Sequence, residues 1–209
     1  MSSPGGNPPT PGDSLSGTSG ACHSRGVDTI RAAFDAWPRE GFLHPRDRSR
    51  AGYDGPLEIG HGQTNSQPRT VAAMLRLLDV RPGQRVLDVG AGSGWTTALL
   101  AHLVGAEGEV VGVELEPDLV VFGSANLAGT GQPWASLLQA EPGVLGWPAG
   151  APYDRILVSA EPSSLPGELV AQLGEDGVMV IPVAGEMLRV TNPGAVVTRH
   201  GGYRFVPLR

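Results

Sequence analysis

The chain has 209 residues, and its 15 basic and 21 acidic side chains give a formal net charge of −6. This acidic balance disfavours a nucleic acid partner, and no apolar run reaches the roughly 18 residues that a membrane-spanning helix needs. Every basic residue is an arginine, which excludes chemistry that requires a lysine, such as a Schiff base. We expect a cytoplasmic monomer that binds neither nucleic acid nor membranes.

The first 26 residues are rich in glycine, proline and serine. Such a composition buries little apolar surface, and the segment lacks the apolar centre of a signal peptide, so residues 1–26 are predicted to be a disordered tail. Cys22 and His23 lie in this tail without the further ligands that a metal site needs, and the other histidines show no metal-ligand spacing. We predict no metal site.

A short helix is predicted over residues 27–37, where apolar residues recur at helical spacing. Residues 38–69 are polar and rich in glycine and proline, and an irregular segment of this length inside a domain is typical of a functional element. Ser66 is expected to cap the next helix, because Pro68 suits a first helical turn and an apolar face runs from Val71 to Leu78.

Strands and helices alternate after this helix. The predicted strands cover residues 85–89, 109–114, 135–139, 153–159 and 177–183, and the predicted helices cover residues 95–103, 117–127 and 165–173. This order predicts an α/β fold with a mostly parallel, doubly wound sheet. The end of the chain, at residues 187–190, 195–199 and 203–206, is predicted to form an antiparallel β-segment.

A glycine loop directly after the strand at residues 85–89 is the strongest chemical signal. Gly90, Gly92 and Gly94 alternate with small residues, and Asp88 precedes them. Small residues let the backbone approach a ligand closely at the carboxyl end of a strand, where open α/β sheets bind nucleotides. Asp88 is predicted either to help bind the cofactor or to bond the loop amides in a structural role.

Two further residues indicate which nucleotide the loop holds. Trp95 occupies the place of the third glycine in the dinucleotide pattern, and Glu114 ends the next strand, where a carboxylate can accept hydrogen bonds from ribose hydroxyls. Together they favour S-adenosylmethionine over NAD. The plainer alternative is a tight strand-to-helix turn with Glu114 as a surface acid.

Residues 59–68, which read IGHGQTNSQP, resemble the signature that precedes the cofactor domain in protein-L-isoaspartate O-methyltransferases. Further matches to that family lie at residues 33–34, 38–43, 86–94, 151–154 and 205–208. The resemblance implies a Rossmann-like class I S-adenosylmethionine-dependent methyltransferase fold. It also implies that residues 27–69 form an N-terminal helix and a lid, and that residues 70–209 form the cofactor-binding domain.

The activity that this resemblance implies is methyl transfer from S-adenosylmethionine to the α-carboxylate of isoaspartyl residues in damaged proteins. The ester then closes to a succinimide, whose hydrolysis returns some normal aspartate. Since the carboxylate is already ionised and the sulfonium is already electrophilic, alignment should supply most of the catalysis. Ser66 matches the family's active-site serine and is expected to bond the substrate carboxylate, whereas a helix-capping role alone is the competing interpretation.

The resemblance also implies the residues that bind the cofactor. Gly90 is expected at the amino-acid end of S-adenosylmethionine, and Glu114 with Leu115 at the ribose and adenine edge. The expected lid residues over the cofactor are Gln63, Thr64, Asn65 and Ser66.

Three features depart from the family pattern. Glu141 stands where an aspartate usually lies near the adenine amino group, and the following Pro142 removes an amide donor. Asn65 replaces a commoner isoleucine, which is expected to make the lid more polar. The sequence stops at Arg209, whereas family members usually continue with residues that help to close the site.

Two other functions remain open from the sequence. One is methylation of an ordinary aspartate in a dedicated ribosomal peptide, which uses the same cofactor fold and the same nucleophile. The other is a non-catalytic module that only binds S-adenosylmethionine. Methylation of nucleic acid is disfavoured, because the chain is acidic and carries Ala-Pro-Tyr-Asp at residues 151–154.

Overall fold

The computed structural model describes Met1, residues 29–192 and residues 195–209. The predicted tail, with Cys22 and His23, falls outside the described residues apart from Met1. Residues 29–36 are helical (α1), in agreement with the predicted helix. Ile30 and Ala33 are buried on the face of α1 that packs against the core.

Residues 38–69 contain two short 3-10 helices and a β-hairpin. The 3-10 helices cover Arg39–Phe42 and Pro45–Arg50, and the hairpin pairs β1 (Leu57–Gly60) with β2 (Gln63–Asn65) in antiparallel register. The hairpin turn uses positive φ angles at three consecutive residues, of which His61 is the central one. The sequence analysis did not predict these strands, because they are only three or four residues long and lie beside glycines.

Helix α2 covers Pro68–Leu78 and buries Val71, Met74, Leu75 and Leu78, which confirms the predicted apolar face. Its N-cap is Gln67, whose side chain makes no capping hydrogen bond. The prediction that Ser66 caps this helix is therefore wrong. The helix begins one residue later than that prediction requires, because Pro68 itself takes the first helical position, where its missing N–H costs nothing.

Within the described residues, seven strands form one sheet in the order β5-β4-β3-β6-β7-β8-β9. The strands are β3 (Arg85–Val89), β4 (Glu109–Glu114), β5 (Ala135–Gln139), β6 (Tyr153–Val158), β7 (Leu173–Val183), β8 (Glu186–Thr191) and β9 (Val196–Gly202). The helices between them are α3 (Trp95–Val104), α4 (Pro117–Ala128) and α5 (Gly167–Val170), with a third 3-10 helix at Pro148–Gly150. Strands β3 to β7 pair in parallel, whereas β8 and β9 are antiparallel.

Side chains of β3 alternate between two hydrophobic cores, one on each face of the sheet. Val86 belongs to the core formed with α1, α2 and α3, while Leu87 and Val89 belong to the core on the opposite face. Burial on both faces explains why the strand reads as an apolar run and not as an alternating pattern. The predicted doubly wound α/β sheet is confirmed.

Two predicted elements at the end of the chain are wrong. The helix predicted over 165–173 is the single turn Gly167–Val170, because Leu173 pairs with Tyr153 and begins β7. Residues 203–206 form no strand. Pro207 makes an isolated bridge to Glu161, and the side chain of Glu161 accepts the Phe205 N–H, which a neighbouring strand would otherwise accept.

Close packing of helix α3 against α4 depends on Gly94, which has a φ of 79°. A Cβ atom at this position would lie 2.8 Å from the carbonyl oxygen of Gly123 in α4. We expect Gly94→Ala to lower the free energy of unfolding by about 2 kcal/mol, from the left-handed backbone and the overpacking. Urea denaturation measures this, with Gly83→Ala as the matched control, since Gly83 has a φ of 80° and open space around it. Equal losses in the two variants would show that the helix contact contributes nothing.

Candidate active site

A cavity lies at the carboxyl ends of the central strands. It is lined by Val89 of β3, Glu114 of β4, and Ser159, which follows β6. Strands β4 and β5 lie on one side of β3 and β6 lies on the other, so the cavity sits where the winding of the sheet reverses, the usual ligand site of open α/β folds. Its lining combines apolar side chains with backbone groups of the glycine loop and a few polar side chains, as is typical of small-molecule sites.

Glu114 holds the glycine loop in place through its carboxylate. Its Oε2 accepts the Gly92 N–H at 2.9 Å, and its Oε1 accepts the N–H groups of Leu115 at 2.8 Å and Glu116 at 3.0 Å. The side chain is buried yet lines the cavity. Since a carboxylate has about four acceptor positions, one on Oε2 stays available to a ligand hydroxyl.

Asp88 lies behind the loop, outside the lining of the cavity. It is fully buried; its Oδ2 accepts the Thr97 hydroxyl at 2.7 Å, and its Oδ1 has no partner among the described residues. Burial raises the pKa of Asp88 to about 7, the Thr97 hydrogen bond opposes this, and nearby Glu114 adds to it. The structure thus gives Asp88 a side-chain partner in α3 in place of the loop amides considered above, and its role toward the cofactor stays a prediction.

The β1–β2 hairpin and the following Ser66 line one side of the cavity, and they are called the lid below. The predicted lid residues, Gln63, Thr64, Asn65 and Ser66, all line the cavity, as do the predicted Gly90, Gly92, Glu114, Leu115 and Glu141, whereas Asp88 and Gly94 do not. Asn65 donates from Nδ2 to the Ser93 hydroxyl at 2.9 Å, and its Oδ1 accepts from Arg39 Nε at 2.6 Å. The polar atoms of Asn65 therefore join the lid to the glycine loop and to Arg39.

Arg39 is a buried cation beneath the lid, with 4% of its surface exposed. Its guanidinium donates to the carbonyl oxygens of Tyr53 (2.9 Å), Gly55 (2.9 Å) and Asn65 (2.7 Å), and lies 5.8 Å from the centre of the Trp95 ring. Burial lowers the pKa of Arg39 to about 10, so it stays charged at neutral pH. The sequence analysis missed this role, although residues 38–43 were among the family matches.

The hairpin is also tied to helix α4. His61 at the turn lies 3.5 Å from Glu116 and 3.1 Å from Asp118, measured between ring nitrogens and carboxylate oxygens. His44 bonds the carbonyl oxygen of Ile59 at 2.9 Å and stacks on Phe122 with ring centroids 4.4 Å apart. These contacts give both histidines positions that support the lid.

The end of the chain forms the remaining wall. Residues 206–209 line the cavity, and Arg209 Nη2 lies 2.5 Å from Oε1 of Glu116, the N-cap residue of α4. Glu161 anchors this segment: its N–H donates to the Val206 carbonyl at 2.7 Å, and its carboxylate accepts the N–H of Phe205 at 3.1 Å and of Gly185 at 2.7 Å. The sequence analysis did not place these residues in the site, although the match at 205–208 was the available signal.

Ser66 lies at the junction of the cavity and an adjoining groove, because it lines both. Its hydroxyl makes no hydrogen bond to another described residue, so it is available to a ligand. Glu141 is exposed at the far end of the cavity, where its carbonyl accepts the Val144 N–H at 3.0 Å.

Comparison with known proteins identifies the family. The model of the family described as Protein-L-isoaspartate(D-aspartate) O-methyltransferase (PCMT) matches residues 22–209. The chain belongs to this family. A protein-L-isoaspartate O-methyltransferase of Methanopyrus kandleri is 45% identical over 178 residues, which cover 82% of this chain and 79% of that protein. One from Thermococcus onnurineus is 41% identical over 189 residues, covering 87% and 85%.

A solved structure agrees with this membership. A Plasmodium falciparum protein assigned to the same activity, crystallised with S-adenosyl-L-homocysteine, superposes with a TM-score of 0.78 at 27% identity, covering 90% of this chain and 95% of that one. Fold and family together give an S-adenosylmethionine-dependent protein-L-isoaspartate O-methyltransferase, and they favour neither the dedicated-peptide enzyme nor the binding-only module. Among the described helices, none has the length and apolar character to cross a membrane.

Proposed function

We propose that this chain transfers the methyl group of S-adenosylmethionine to the α-carboxylate of isoaspartyl residues in damaged proteins, with Ser66 binding that carboxylate. The assignment of Ser66 depends on its position. Its hydroxyl, which bonds no other described residue, lies where the cavity meets the groove. A substrate carboxylate that enters through the groove reaches the cavity at this junction, where Thr64, Ser159 and Val206 also lie, and Ser66 is the residue there that matches the family's active-site serine.

The residues of the cavity fit S-adenosylmethionine. The available acceptor position on Glu114 Oε2 faces a cavity that can hold a ribose, and Leu115 and Glu141 extend the same wall toward the position of the adenine. Gly90 and Gly92 line the cavity without side chains, which leaves room for the amino-acid end. Glu114 has one available acceptor position, so it bonds one ribose hydroxyl unless the Gly92 N–H moves away.

The reaction needs no proton transfer from the protein. When bound, S-adenosylmethionine supplies a methyl group on a positively charged sulfur. One oxygen of the substrate carboxylate forms the new bond to the methyl carbon, and the electrons of the broken carbon–sulfur bond remain on sulfur. Ser66 donates its hydroxyl to the other carboxylate oxygen and so aligns the nucleophile, while the hairpin and residues 206–209 exclude water.

We infer the roles of the two segments of the chain from the same contacts. Residues 27–69 serve as an N-terminal helix and lid, and residues 70–209 serve as the cofactor-binding domain. The lid and residues 206–209 that complete the walls of the cavity belong to the same chain as the glycine loop, which supports action as a monomer. The net charge of −6 supports a protein substrate over nucleic acid or a membrane surface, and we place the reaction in the cytoplasm.

The test uses methyl-labelled S-adenosylmethionine and two peptides that differ only in one isoaspartyl or aspartyl residue. We expect label on the isoaspartyl peptide alone, and Ser66→Ala to lower kcat/KM at least about tenfold, a loss of about 1.4 kcal/mol of transition-state stabilisation. The cofactor Kd from calorimetry should stay the same. Ser136→Ala, at an exposed position on β5, serves as the control.

Two outcomes would contradict this function. Label on the aspartyl peptide would point to a dedicated aspartate methyltransferase. Cofactor binding without label on either peptide would leave only a binding role. Full activity of Ser66→Ala would remove Ser66 from the mechanism without affecting the assigned reaction.

A further inference from the structure

The groove beside the cavity carries positive charge on an acidic protein. It is bounded by the start of α2 on one side and by residues 202–206 on the other, and it meets the cavity at Thr64, Ser66, Ser159 and Val206. Its charged lining residues among those described are Arg69 and Arg204, and no carboxylate lines it. The charged residues that line the cavity are Glu114, Glu141 and Arg209, so its formal charge is negative, opposite to that of the groove.

Arg204 supplies the net charge of this groove. Arg69 is paired, because its Nη2 lies 3.1 Å from Oδ2 of Asp54. Arg204 is exposed and makes no ion pair or hydrogen bond with another described residue. An unpaired guanidinium beside a binding groove attracts carboxylates, with which it can form two parallel hydrogen bonds.

We propose that Arg204 makes this enzyme select isoaspartyl sites whose neighbouring residues are acidic. The proposal rests on the proposed function, because the groove is the path by which a peptide brings its carboxylate to Ser66. Residues flanking the isoaspartyl residue then lie in the groove beyond Ser66, where a glutamate or aspartate side chain meets Arg204. The rest of the surface, with its negative charge, repels the same peptides, so the groove is the favourable place for them to bind.

The test uses two sets of three isoaspartyl peptides. The three peptides of a set differ only in carrying glutamate, glutamine or lysine next to the isoaspartyl residue, before it in one set and after it in the other. At low ionic strength we expect kcat/KM to be about threefold higher for the glutamate peptide than for the glutamine peptide, and lowest for the lysine peptide. The preference should shrink in 0.5 M salt, where the Debye length falls to about 4 Å.

Variants locate the source of this preference. Arg204→Gln should bring the glutamate and glutamine peptides to equal kcat/KM, and Arg204→Glu should favour the lysine peptide. Arg76→Gln is the control, since Arg76 is an exposed arginine on α2 outside the groove, and it should keep the wild-type order.

Three results would overturn the proposal. They are equal kcat/KM for all three peptides in the wild type, retention of the glutamate preference in Arg204→Gln, and an equal loss for every peptide in that variant. The last would mean that Arg204 acts on the reacting carboxylate or only holds the segment. Failure of the wild type to methylate even the glutamine peptide would overturn the proposed function as well, so the two failures are distinct.

Discussion

Replacing Arg39 with methionine is expected to lower the free energy of unfolding by about 3–5 kcal/mol and to remove nearly all methyltransferase activity. The substitution removes the hydrogen bonds that Arg39 donates to the carbonyl oxygens of Tyr53, Gly55 and Asn65 and to the Asn65 side chain. Buried acceptors that lose a charged donor cost far more than an exposed ion pair contributes. Urea unfolding and a methylation assay measure the two effects.

Two control variants separate the effect of losing the guanidinium hydrogen bonds from the effect of losing the charge and from the effect of changing the side chain's size. Arg39→Lys keeps the charge but cannot reach three carbonyl oxygens at once, so we expect it to recover less than half of the lost stability. Arg76→Met makes the same chemical change at an exposed site on α2 and should change the stability by less than about 0.5 kcal/mol. A loss of stability in Arg39→Met below about 1 kcal/mol would show that the lid does not depend on this cation.

Three neighbouring strands of the sheet could be predicted from the sequence to the residue. The predicted segments 85–89, 109–114 and 135–139 coincide with β3, β4 and β5. Strands β3 and β4 are buried on both faces, so their apolar runs end where burial ends, whereas the edge strand β5 exposes Ser136 and Gln139. The β1–β2 hairpin escaped prediction because it is short and its turn depends on backbone angles at His61 and the flanking glycines, which propensities do not reveal.

Prediction of the site depended on how far apart its residues lie in the sequence. The glycine loop and Glu114 follow directly from strands, so they could be found from local pattern. Arg39 bonds a residue 26 positions later, and Arg209 bonds Glu116 across 93 positions. These pairings arise only from the folded topology. A family match at residues 38–43 and 205–208 marked the segments without revealing which atoms they contact.

Asp88 is expected to make the protein less stable as the pH rises from 5 to 8. Its pKa is about 7 in the folded protein against an ordinary value of 3.8, because burial penalises the charged form. Between these two values the folded chain holds a proton that the unfolded chain has lost, so the free energy of unfolding falls as the pH increases. The stabilisation is complete below about pH 4 and is lost as the pH passes through 7.

The expected loss from Asp88 between pH 5 and pH 8 is about 3 kcal/mol, at 1.36 kcal/mol for each pH unit of the window up to the folded pKa. Asp88→Asn keeps an acceptor for the Thr97 hydroxyl and carries no charge at any pH, so its stability should vary less over the same range. Urea unfolding of both proteins at pH 5, 6, 7 and 8 gives the comparison. Parallel curves would mean that Asp88 ionises in the folded protein as readily as in the unfolded chain. Diverging curves would mean that the folded protein keeps the Asp88 carboxyl group largely protonated below neutral pH.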